Sequence, residues 1–420
     1  MLALTPAELL RLKQVLEQRI PGHGLPRDLY HDALVYRAEM DFIWRGGWLF
    51  AGHSCQIPKP GDYFLYDVDG DSMIIVRAND GQVHALYNVC RHRGSVICEA
   101  AQGTVKRFIC PYHQWTYDLD GHLMLWRGMQ EGLDKTQLGL HRAHAREVEG
   151  LIFISLAKEA PDFEPVASTF SAAARPQGLG HAKVAKLMDF DVAANWKLVW
   201  ENNRECYHCN VNHPQYTKAN FDHYNADDTI ERIAIQLAAV TARSEAKWAD
   251  QGLAVTRHET GMTEFPDPEN NIWWSANRTP LVDGFVTESL DGRQVAPLMG
   301  DYTEAADVGT LRLRMLPNFW NHASCDHSVA VRLTPRGLYN TQIQMTWLVD
   351  AQAEEGRDYS LDQMLPFWLY TAEQDWAICV NQQRGVNSRA YVPGPLSTYK
   401  EYNLDRWLRW YLNQMNAAIG

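Results

Sequence analysis

The pattern of hydrophobic and polar positions changes twice along the chain and divides it into three stretches. In the first stretch, residues 1–43, the segment Pro6–Leu16 repeats apolar residues at helical spacing. Thr5 is a suitable N-cap because a proline occupies the first helical position after it. We therefore predict a helical segment here, and we expect it to pack on the domain formed by the third stretch.

The second stretch, residues 44–157, consists of short strand-like runs separated by turn residues. Met73–Arg77 and Val83–Asn88 flank Asn79-Asp80-Gly81, which is a typical β-hairpin sequence. Leu151–Leu156 has the continuous apolar character of a buried strand. The stretch is predicted to form a compact all-β domain.

The third stretch, residues 158–420, mixes helical and strand patterns. The elements predicted there are a helix over Trp196–Asn212, strands over Val329–Leu333 and Thr341–Val349, and helices over Ser360–Gln383 and Leu404–Met415. This mixture predicts an α+β domain. The fold class of the whole chain is therefore predicted to be α+β, with an all-β domain preceding an α+β domain.

Composition and charge limit the classes of partner that this protein is expected to bind. Of 420 residues, 46% are hydrophobic and 21% are charged, and the formal net charge is −12. An acidic surface disfavours nucleic acid and anionic membranes, which both attract basic proteins. No apolar stretch is long enough to span a bilayer, and the N-terminal residues lack a signal-peptide core. We therefore expect a cytoplasmic protein without a membrane or nucleic-acid partner.

Two mixed cysteine–histidine pairs indicate a metal site. Cys90-Arg91-His92 is followed, after 17 intervening residues, by Cys110-Pro111-Tyr112-His113. Two such pairs on two loops can hold a [2Fe–2S] cluster, with both thiolates on one iron and both imidazoles on the other. A structural Cys₂His₂ zinc site is the alternative, but zinc modules more often pair cysteine with cysteine.

The residues around these pairs resemble a known signature. Cys90-Arg91-His92-Arg93-Gly94 and Cys110-Pro111-Tyr112-His113-Gln114-Trp115 resemble the Rieske motif of aromatic-ring-hydroxylating oxygenases. The resemblance implies an N-terminal Rieske [2Fe–2S] domain held by the two cysteines and two histidines. It also implies a C-terminal catalytic domain with an antiparallel sheet covered by helices, in a helix-grip-like arrangement.

A second pair of histidines indicates a mononuclear metal. His208 and His213 are five residues apart, so they do not share one face of a regular helix, but Pro214 can end the helix and let the chain bend back. Two imidazoles and one carboxylate form the facial triad of O₂-activating iron(II). The spacing leaves Glu205 and Asp375 as alternative carboxylates. The family resemblance implies that Asp375 is the iron ligand and that Glu205 bridges electron transfer between neighbouring subunits.

A closer resemblance concerns the substrate. The runs 201–210, 383–388 and 391–395 resemble glycine betaine and proline betaine (stachydrine) demethylases. That resemblance implies O₂-dependent oxidative N-demethylation of a quaternary ammonium betaine with release of formaldehyde. It also implies a homotrimer that receives electrons from NAD(P)H through a separate flavin/iron–sulfur reductase.

Several alternatives remain open at this point. The same irons could serve an aromatic-ring-hydroxylating dioxygenase, or a carnitine- or choline-type monooxygenase. A pure electron-transfer Rieske protein needs no second iron, and a zinc-stabilised binding module needs none at all. Cys206 and Cys209 could form a redox or zinc pair, although they overlap the better histidine ligands.

A quaternary ammonium group accepts no hydrogen bond and is bound through aromatic faces. The pattern does not select among the aromatic residues available for this role, which are Trp273, Trp274, Phe319, Trp320, Trp368 and Tyr370.

Overall fold

The computed structural model describes residues 4–220, 230–253, 258–260 (backbone only), 272–302 and 307–419. The chain forms two compact units. One unit is Arg45–Ala160, and the other combines the residues up to Trp44 with those from Pro161 onward. The extreme ends of the predicted stretches, residues 1–3 and 420, lie outside the described residues.

The unit Arg45–Ala160 is built from antiparallel strands. They are β1 (Trp48–His53), β2 (Asp62–Val68), β3 (Asp71–Arg77), β4 (Val83–Tyr87), β5 (Gln102–Thr104), β6 (Phe108–Ile109), β7 (Thr116–Tyr117), β8 (Leu123–Leu125), β9 (Arg142–Val148) and β10 (Leu151–Ser155). Seven strands form one sheet in the order β1-β10-β9-β4-β3-β2-β5, and β6, β7 and β8 form a second, three-stranded sheet. The all-β prediction for this part of the chain is confirmed.

Turn chemistry explains the strand pairing in this unit. Strands β3 and β4 pair antiparallel as the hairpin pattern predicts, and Gly81 in the turn has φ of 80°, which a residue with a Cβ atom rarely adopts. Strand β10 is entirely buried between β1 and β9. This explains why Leu151–Ser155 is apolar at every position except the last.

The second unit is α+β. Its helices are α1 (Pro6–Leu16), α2 (Asp28–His31), α3 (Ala33–Glu39), α4 (Glu164–Ala174), α5 (Trp196–Asn203), α6 (Cys209–Asn212), α7 (Pro214–Ala219), α8 (Glu231–Asp250), α9 (Leu361–Met364), α10 (Pro366–Val386) and α11 (Tyr402–Ile419), with a π-helical turn at Met40–Trp44. Its strands are β11 (Ala182–Val192), β12 (His258–Thr260), β13 (Trp274–Thr279), β14 (Thr310–Met315), β15 (Phe319–Ala323), β16 (Ser328–Gly337) and β17 (Asn340–Asp350).

The seven strands that the structure describes in this unit form one antiparallel sheet in the order β11-β17-β16-β15-β14-β13-β12. Helix α5 contacts β16, and helix α10 contacts both α5 and β11. These two helices therefore cover the sheet, as the family resemblance implies. The cavity described below lies between them and the sheet.

The predicted helix over Trp196–Asn212 is wrong. Helix α5 ends at Asn203, and the chain turns before the short helix α6 begins. The physical reason is local, because the backbone N–H of Tyr207 donates to the carboxylate of Glu205 and not to a helical carbonyl. The effect predicted for Pro214 is present, because α6 ends at Asn212 and His213 leaves α geometry at φ −123° and ψ 67°. Pro214 also begins α7, where its missing N–H costs nothing.

The predicted helix over Ser360–Gln383 is likewise divided in two. Helix α9 ends at Met364, and α10 begins at Pro366 and runs to Val386. A proline inside a continuous helix would remove one backbone hydrogen bond and clash with the preceding turn. The helix predicted over Leu404–Met415 is present as the longer helix α11.

A buried ion pair joins the N-terminal helical segment to α5. Lys197 Nζ lies 2.5 Å from Glu39 Oε1, and both side chains are fully buried. Trp196 Nε1 and the Tyr411 hydroxyl also donate to the Glu39 carboxylate, at 2.8 and 2.5 Å. Because every charge in this cluster has partners, the arrangement holds α3, α5 and α11 together.

Among the helices that the structure describes, none combines the length and apolar character needed to cross a bilayer.

Candidate metal centres

The two cysteine–histidine loops have the same backbone design. In each, the residue four positions after the cysteine donates its N–H to the cysteine carbonyl, Gly94 to Cys90 at 2.9 Å and Gln114 to Cys110 at 3.0 Å. Gly94 and Gln114 both have positive φ, at 75° and 60°. Left-handed backbone is uncommon for glutamine, so the second loop is held by its surroundings.

The cysteines and the histidines of these loops differ in their exposure to solvent. Cys90 and Cys110 are buried, at 3% and 1% exposure, and lie close enough for their thiols to hydrogen-bond. His92 and His113 lie towards solvent, with their Nδ1 atoms 3.2 Å apart. Two thiols inside and two imidazoles outside fit a [2Fe–2S] cluster whose inner iron takes sulfur ligands and whose outer iron takes nitrogen ligands.

Two aromatic residues, Tyr117 and Trp115, make contacts with this site that the sequence did not predict. The Tyr117 hydroxyl accepts the N–H of Arg91 at 3.1 Å and lies 3.3 Å from Cys90 Sγ, where it can donate to a thiolate. The ring of Trp115 stacks on His92, with ring centroids 4.9 Å apart and planes 8° from parallel. Tyr117 lies on β7, directly after the motif, and no pattern in the sequence indicated its contact with Cys90.

The second histidine pair converges on a carboxylate. Asp375 Oδ1 lies 2.8 Å from His213 Nε2 and 3.2 Å from His208 Nε2. Ligands about 2.1 Å from an ion and at right angles to one another are about 3.0 Å apart. Both distances are those expected between neighbouring ligands of one ion, so His208, His213 and Asp375 could hold a single metal.

Glu205 occupies the other side of the His208 ring. Its Oε1 lies 2.6 Å from His208 Nδ1, whereas Asp375 approaches Nε2. A single ion bound at Nε2 can therefore be shared with Asp375 but not with Glu205. The sequence left both carboxylates open as ligands, and the structure brings Asp375 together with the two histidines.

Two carboxylates also determine the charge of this site. Burial opposes the charged form of His208, but hydrogen bonds with Asp375 and Glu205 outweigh it and raise the pKa of His208 to about 10. Burial alone would raise the pKa of Asp375, yet hydrogen bonds with His208 and His213 lower it. The histidine–carboxylate set is therefore electrostatically suited to a dication, which displaces the imidazole protons on binding.

Neighbouring side chains hold the two rings in place. The side-chain amide of Gln374 lies 2.8 Å from His213 Nδ1, and the Glu205 carboxylate lies 2.6 Å from His208 Nδ1. Such contacts at the far nitrogen fix the ring orientation and the tautomer of a metal-binding histidine. Cys206 and Cys209 are joined by a disulfide across the turn that carries His208, so in this state they offer no thiolate.

A cavity lies beside Asp375, with about 560 Å³ of empty space when its solvent-filled mouth is included. Three tryptophans line it, Trp320 from β15 and Trp368 and Trp376 from α10. An adjoining region of about 420 Å³ contains the two histidines and Arg314, and it shares Asp375 with the larger region.

The aromatic residues that the sequence offered for binding an ammonium group do not all line the cavity. Trp320 and Trp368 line the cavity, whereas Trp273, Trp274 and Phe319 are buried outside it, and Tyr370 is 47% exposed. Trp376 was missed. The spacing of Trp368, Ala372 and Trp376 along α10 is the four-residue repeat of a helix face, and this repeat was the available signal.

Comparison with known families decides the identity. The Rieske [2Fe-2S] domain family matches residues 47–139, and the ring hydroxylating alpha subunit (catalytic domain) family matches residues 179–417, more than half of the chain. The chain belongs to the Rieske oxygenase alpha-subunit family. This oxygenase is an oxidoreductase that uses a [2Fe–2S] cluster, a mononuclear non-haem iron and O₂.

Similar proteins and structures agree with this family. The oxygenase is 37% identical to the glycine betaine monooxygenase oxygenase subunit of Chromohalobacter salexigens, over 96% of this chain and 88% of that protein. It is 35% identical to the subunit of the same name from Pseudomonas aeruginosa, over 97% and 92%. The quaternary ammonium Rieske monooxygenase CntA has the same fold, with a TM-score of 0.69 at 20% identity over 95% and 97% of the two chains.

Proposed function

We propose that this oxygenase removes an N-methyl group oxidatively from a small betaine, such as glycine betaine or proline betaine, and releases formaldehyde. The observation that carries this proposal is the tryptophan-lined cavity beside Asp375. Indole faces attract a quaternary ammonium group, which has no hydrogen to donate. The names of the relatives that match over nearly the whole chain support the same substrate class.

We assign the metal ligands as follows. The [2Fe–2S] cluster is held by Cys90, His92, Cys110 and His113. The mononuclear iron is held by His208, His213 and Asp375. When bound, the cluster supplies electrons singly and the iron activates O₂ for hydroxylation of a C–H bond.

The side chains around the iron site orient the substrate. Trp320, Trp368 and Trp376 bind the ammonium group, direct one methyl group towards Asp375 and exclude water. The hydroxylated methyl group then leaves as formaldehyde, because a hydroxymethyl amine separates readily into an amine and an aldehyde. Glu205 and Gln374 keep the two iron-binding imidazoles in place throughout.

We further propose that electrons pass between subunits of a homotrimer through Glu205. This carboxylate already contacts His208 Nδ1, and the neighbouring Tyr207 and Val211 are 63% and 82% exposed, which suits a subunit contact. Around the Rieske loops, Val96, Ile109 and Tyr112 are also exposed. Inter-subunit electron transfer is described for a quaternary ammonium Rieske monooxygenase of the same fold.

Subunit complementation tests the trimer pathway. His113→Ala removes a cluster ligand and Asp375→Asn removes an iron ligand, so each variant alone should be inactive. When the two variants are co-expressed and share one oligomer, the intact cluster of one subunit can pass electrons to the intact iron site of its neighbour. Part of the activity should then return. Mixed oligomers without activity would contradict transfer between subunits.

We also propose that a separate flavin/iron–sulfur reductase delivers electrons from NAD(P)H, and that the protein works in the cytoplasm. Cluster assembly needs Cys90 and Cys110 as thiolates, and the reducing cytoplasm favours free thiols, so we expect the Cys206–Cys209 disulfide to be open there. The net charge of −12 indicates a partner with a basic docking surface.

The substrate is tested with a panel of compounds. Purified oxygenase, a reductase and O₂ are supplied with glycine betaine, stachydrine, carnitine, choline and naphthalene, and formaldehyde is measured. We expect formaldehyde from a betaine, coupled to O₂ consumption. Formaldehyde from carnitine or choline alone, or cis-diol from naphthalene, would contradict the betaine assignment.

A further inference from the structure

The floor of the tryptophan-lined cavity is a row of side chains on three neighbouring strands. Trp320 on β15 lies directly opposite Val331 on β16, and Val331 lies opposite Met345 on β17. Residues opposite one another in antiparallel strands point to the same face of the sheet. Because neighbouring strands are about 4.8 Å apart, the row extends for about 10 Å from Trp320 to Met345.

The two ends of this row differ in their chemistry. At the β15 end, Trp320 lies on the same strand as His322, whose imidazole packs against the ring of Trp368 with centroids 4.1 Å apart. At the β17 end, Ile343 and Met345 continue the floor, and their side chains contain no nitrogen or oxygen atom. The β15 end therefore suits an ammonium group, and the β17 end suits a hydrocarbon group.

Trp376 on α10 covers the β17 end. Its ring packs on Phe190 of β11, with ring centroids 4.4 Å apart, and Phe190 lies opposite Ile343 in the sheet. This contact fixes the indole over the hydrocarbon side chains, and we call the space enclosed by Val331, Ile343, Met345 and Trp376 the apolar compartment. Asp375 precedes Trp376 on α10 and lines the same cavity, so the apolar compartment and the iron ligands face the same bound molecule.

The floor of the apolar compartment offers no site for ordered water. Val331, Ile343 and Met345 are at most 4% exposed, and an ordered water needs two to four polar partners, which these side chains lack. The walls come from α5, α10, β11 and β15 to β17, which the structure describes from end to end. The compartment is therefore suited to an apolar part of a ligand and not to solvent.

We infer that the apolar compartment binds a hydrocarbon ring or short alkyl chain on the substrate nitrogen, so that this oxygenase prefers N-methylated ammonium substrates with such a group over glycine betaine. The inference rests on the proposed function. When the ammonium group lies against Trp320, a methyl group ends short of Met345, whereas a ring or a propyl chain extends over Val331. Each additional methylene that leaves water for this compartment should strengthen binding about fourfold.

A series of substrates provides the first test, which needs no variant. One N-methyl group of glycine betaine is replaced by ethyl, propyl or butyl, and stachydrine supplies the cyclic case. The calorimetric dissociation constant and KM for formaldehyde release should each fall about fourfold per methylene as far as the propyl compound. Stachydrine, with two more carbons than glycine betaine, should bind about 10-fold more tightly. Constants that stay level or rise with chain length would overturn the inference.

The second test changes the protein. Val331→Thr keeps the shape of the side chain and adds a hydroxyl group, which can bind water in the empty compartment but has no partner beneath a propyl chain. KM for the propyl compound should therefore rise about 5- to 100-fold, whereas glycine betaine leaves that water in place and should keep its KM. Val349→Thr, at a buried valine of β17 outside the cavity lining, is the matched control and should change neither KM.

A larger side chain gives an independent check. Val331→Phe should fill the compartment and abolish the dependence on chain length while glycine betaine is still demethylated, and the visible spectrum of the cluster verifies folding. Equal losses for glycine betaine and the propyl compound in Val331→Thr would assign Val331 a purely structural role and overturn the inference. Wild-type protein that releases formaldehyde from no member of the series would refute the proposed function itself. Formaldehyde release with a level chain-length profile would refute only the apolar compartment.

Discussion

Glu201 on α5 provides a pH-dependent test of the packing beneath the iron site. Its side chain is buried, and its Oε1 accepts the Tyr30 hydroxyl at 2.6 Å. Burial raises the pKa of Glu201 from 4.5 to about 7, and the Tyr30 hydrogen bond and the nearby Lys197 offset only part of that effect. The folded protein therefore holds the Glu201 proton more tightly than the unfolded chain does.

The sign and size of the effect follow from linkage. Between pH 4.5 and pH 7 the folded state binds more protons at Glu201, so the free energy of unfolding falls as the pH rises through this window. A shift of about 2.5 pKa units corresponds to about 3 kcal/mol. Glu201→Gln keeps an acceptor for Tyr30 but cannot ionise, so it removes this decline.

Scanning calorimetry of the holoenzyme at pH 5 and pH 8 measures the effect. Glu201→Gln should unfold close to the wild type at pH 5 and be more stable by up to about 3 kcal/mol at pH 8. Glu354→Gln, at an exposed glutamate, is the control and should track the wild type at both values. A difference between Glu201→Gln and wild type that is the same at both pH values would refute the reasoning.

Three further substitutions address the metal centres. His213→Ala should leave the visible spectrum of the cluster intact and abolish turnover, and loss of the cluster would contradict the division of the two sites. Glu205→Gln should retain both metals. In stopped-flow experiments it should slow oxidation of the reduced cluster by substrate and O₂ about 10- to 100-fold. Oxidation at the wild-type rate would show that Glu205 does not lie on the electron path. Tyr117→Phe should lower the cluster's reduction potential by about 20–65 mV in an EPR-monitored titration. The reason is that a hydrogen bond worth about 0.5–1.5 kcal/mol no longer stabilises the reduced cluster. An unchanged potential would show that the hydroxyl does not donate to Cys90.

Local chemistry made much of the fold predictable from sequence. The hairpin around Gly81 forms because its turn requires a positive φ that glycine adopts freely. Helix α1 begins where Thr5 caps it, with the Thr5 hydroxyl accepting the N–H of Glu8 and the Glu8 carboxylate accepting the N–H of Thr5. In both cases the decisive contacts lie within a few residues of the chain.

Contacts between distant residues were not predictable in the same way. The break after Asn203 depends on Glu205 accepting a backbone N–H, which helical periodicity does not reveal. Asp375 lies 167 residues beyond His208 in sequence, and only the packing of α10 over the sheet brings the two together. The shared face of Trp320, Val331 and Met345 depends on strand register, which the hydrophobic pattern of single strands does not determine.

A single-turnover experiment tests the central claim most directly. Oxygenase reduced in advance and freed of excess reductant is mixed with O₂ and stachydrine or glycine betaine, and formaldehyde is measured with the EPR signal of the cluster. We predict that formaldehyde forms while the signal of the reduced cluster disappears, and that protein lacking the mononuclear iron does neither. A reduced cluster that persists without formaldehyde in fully metallated protein would contradict the account.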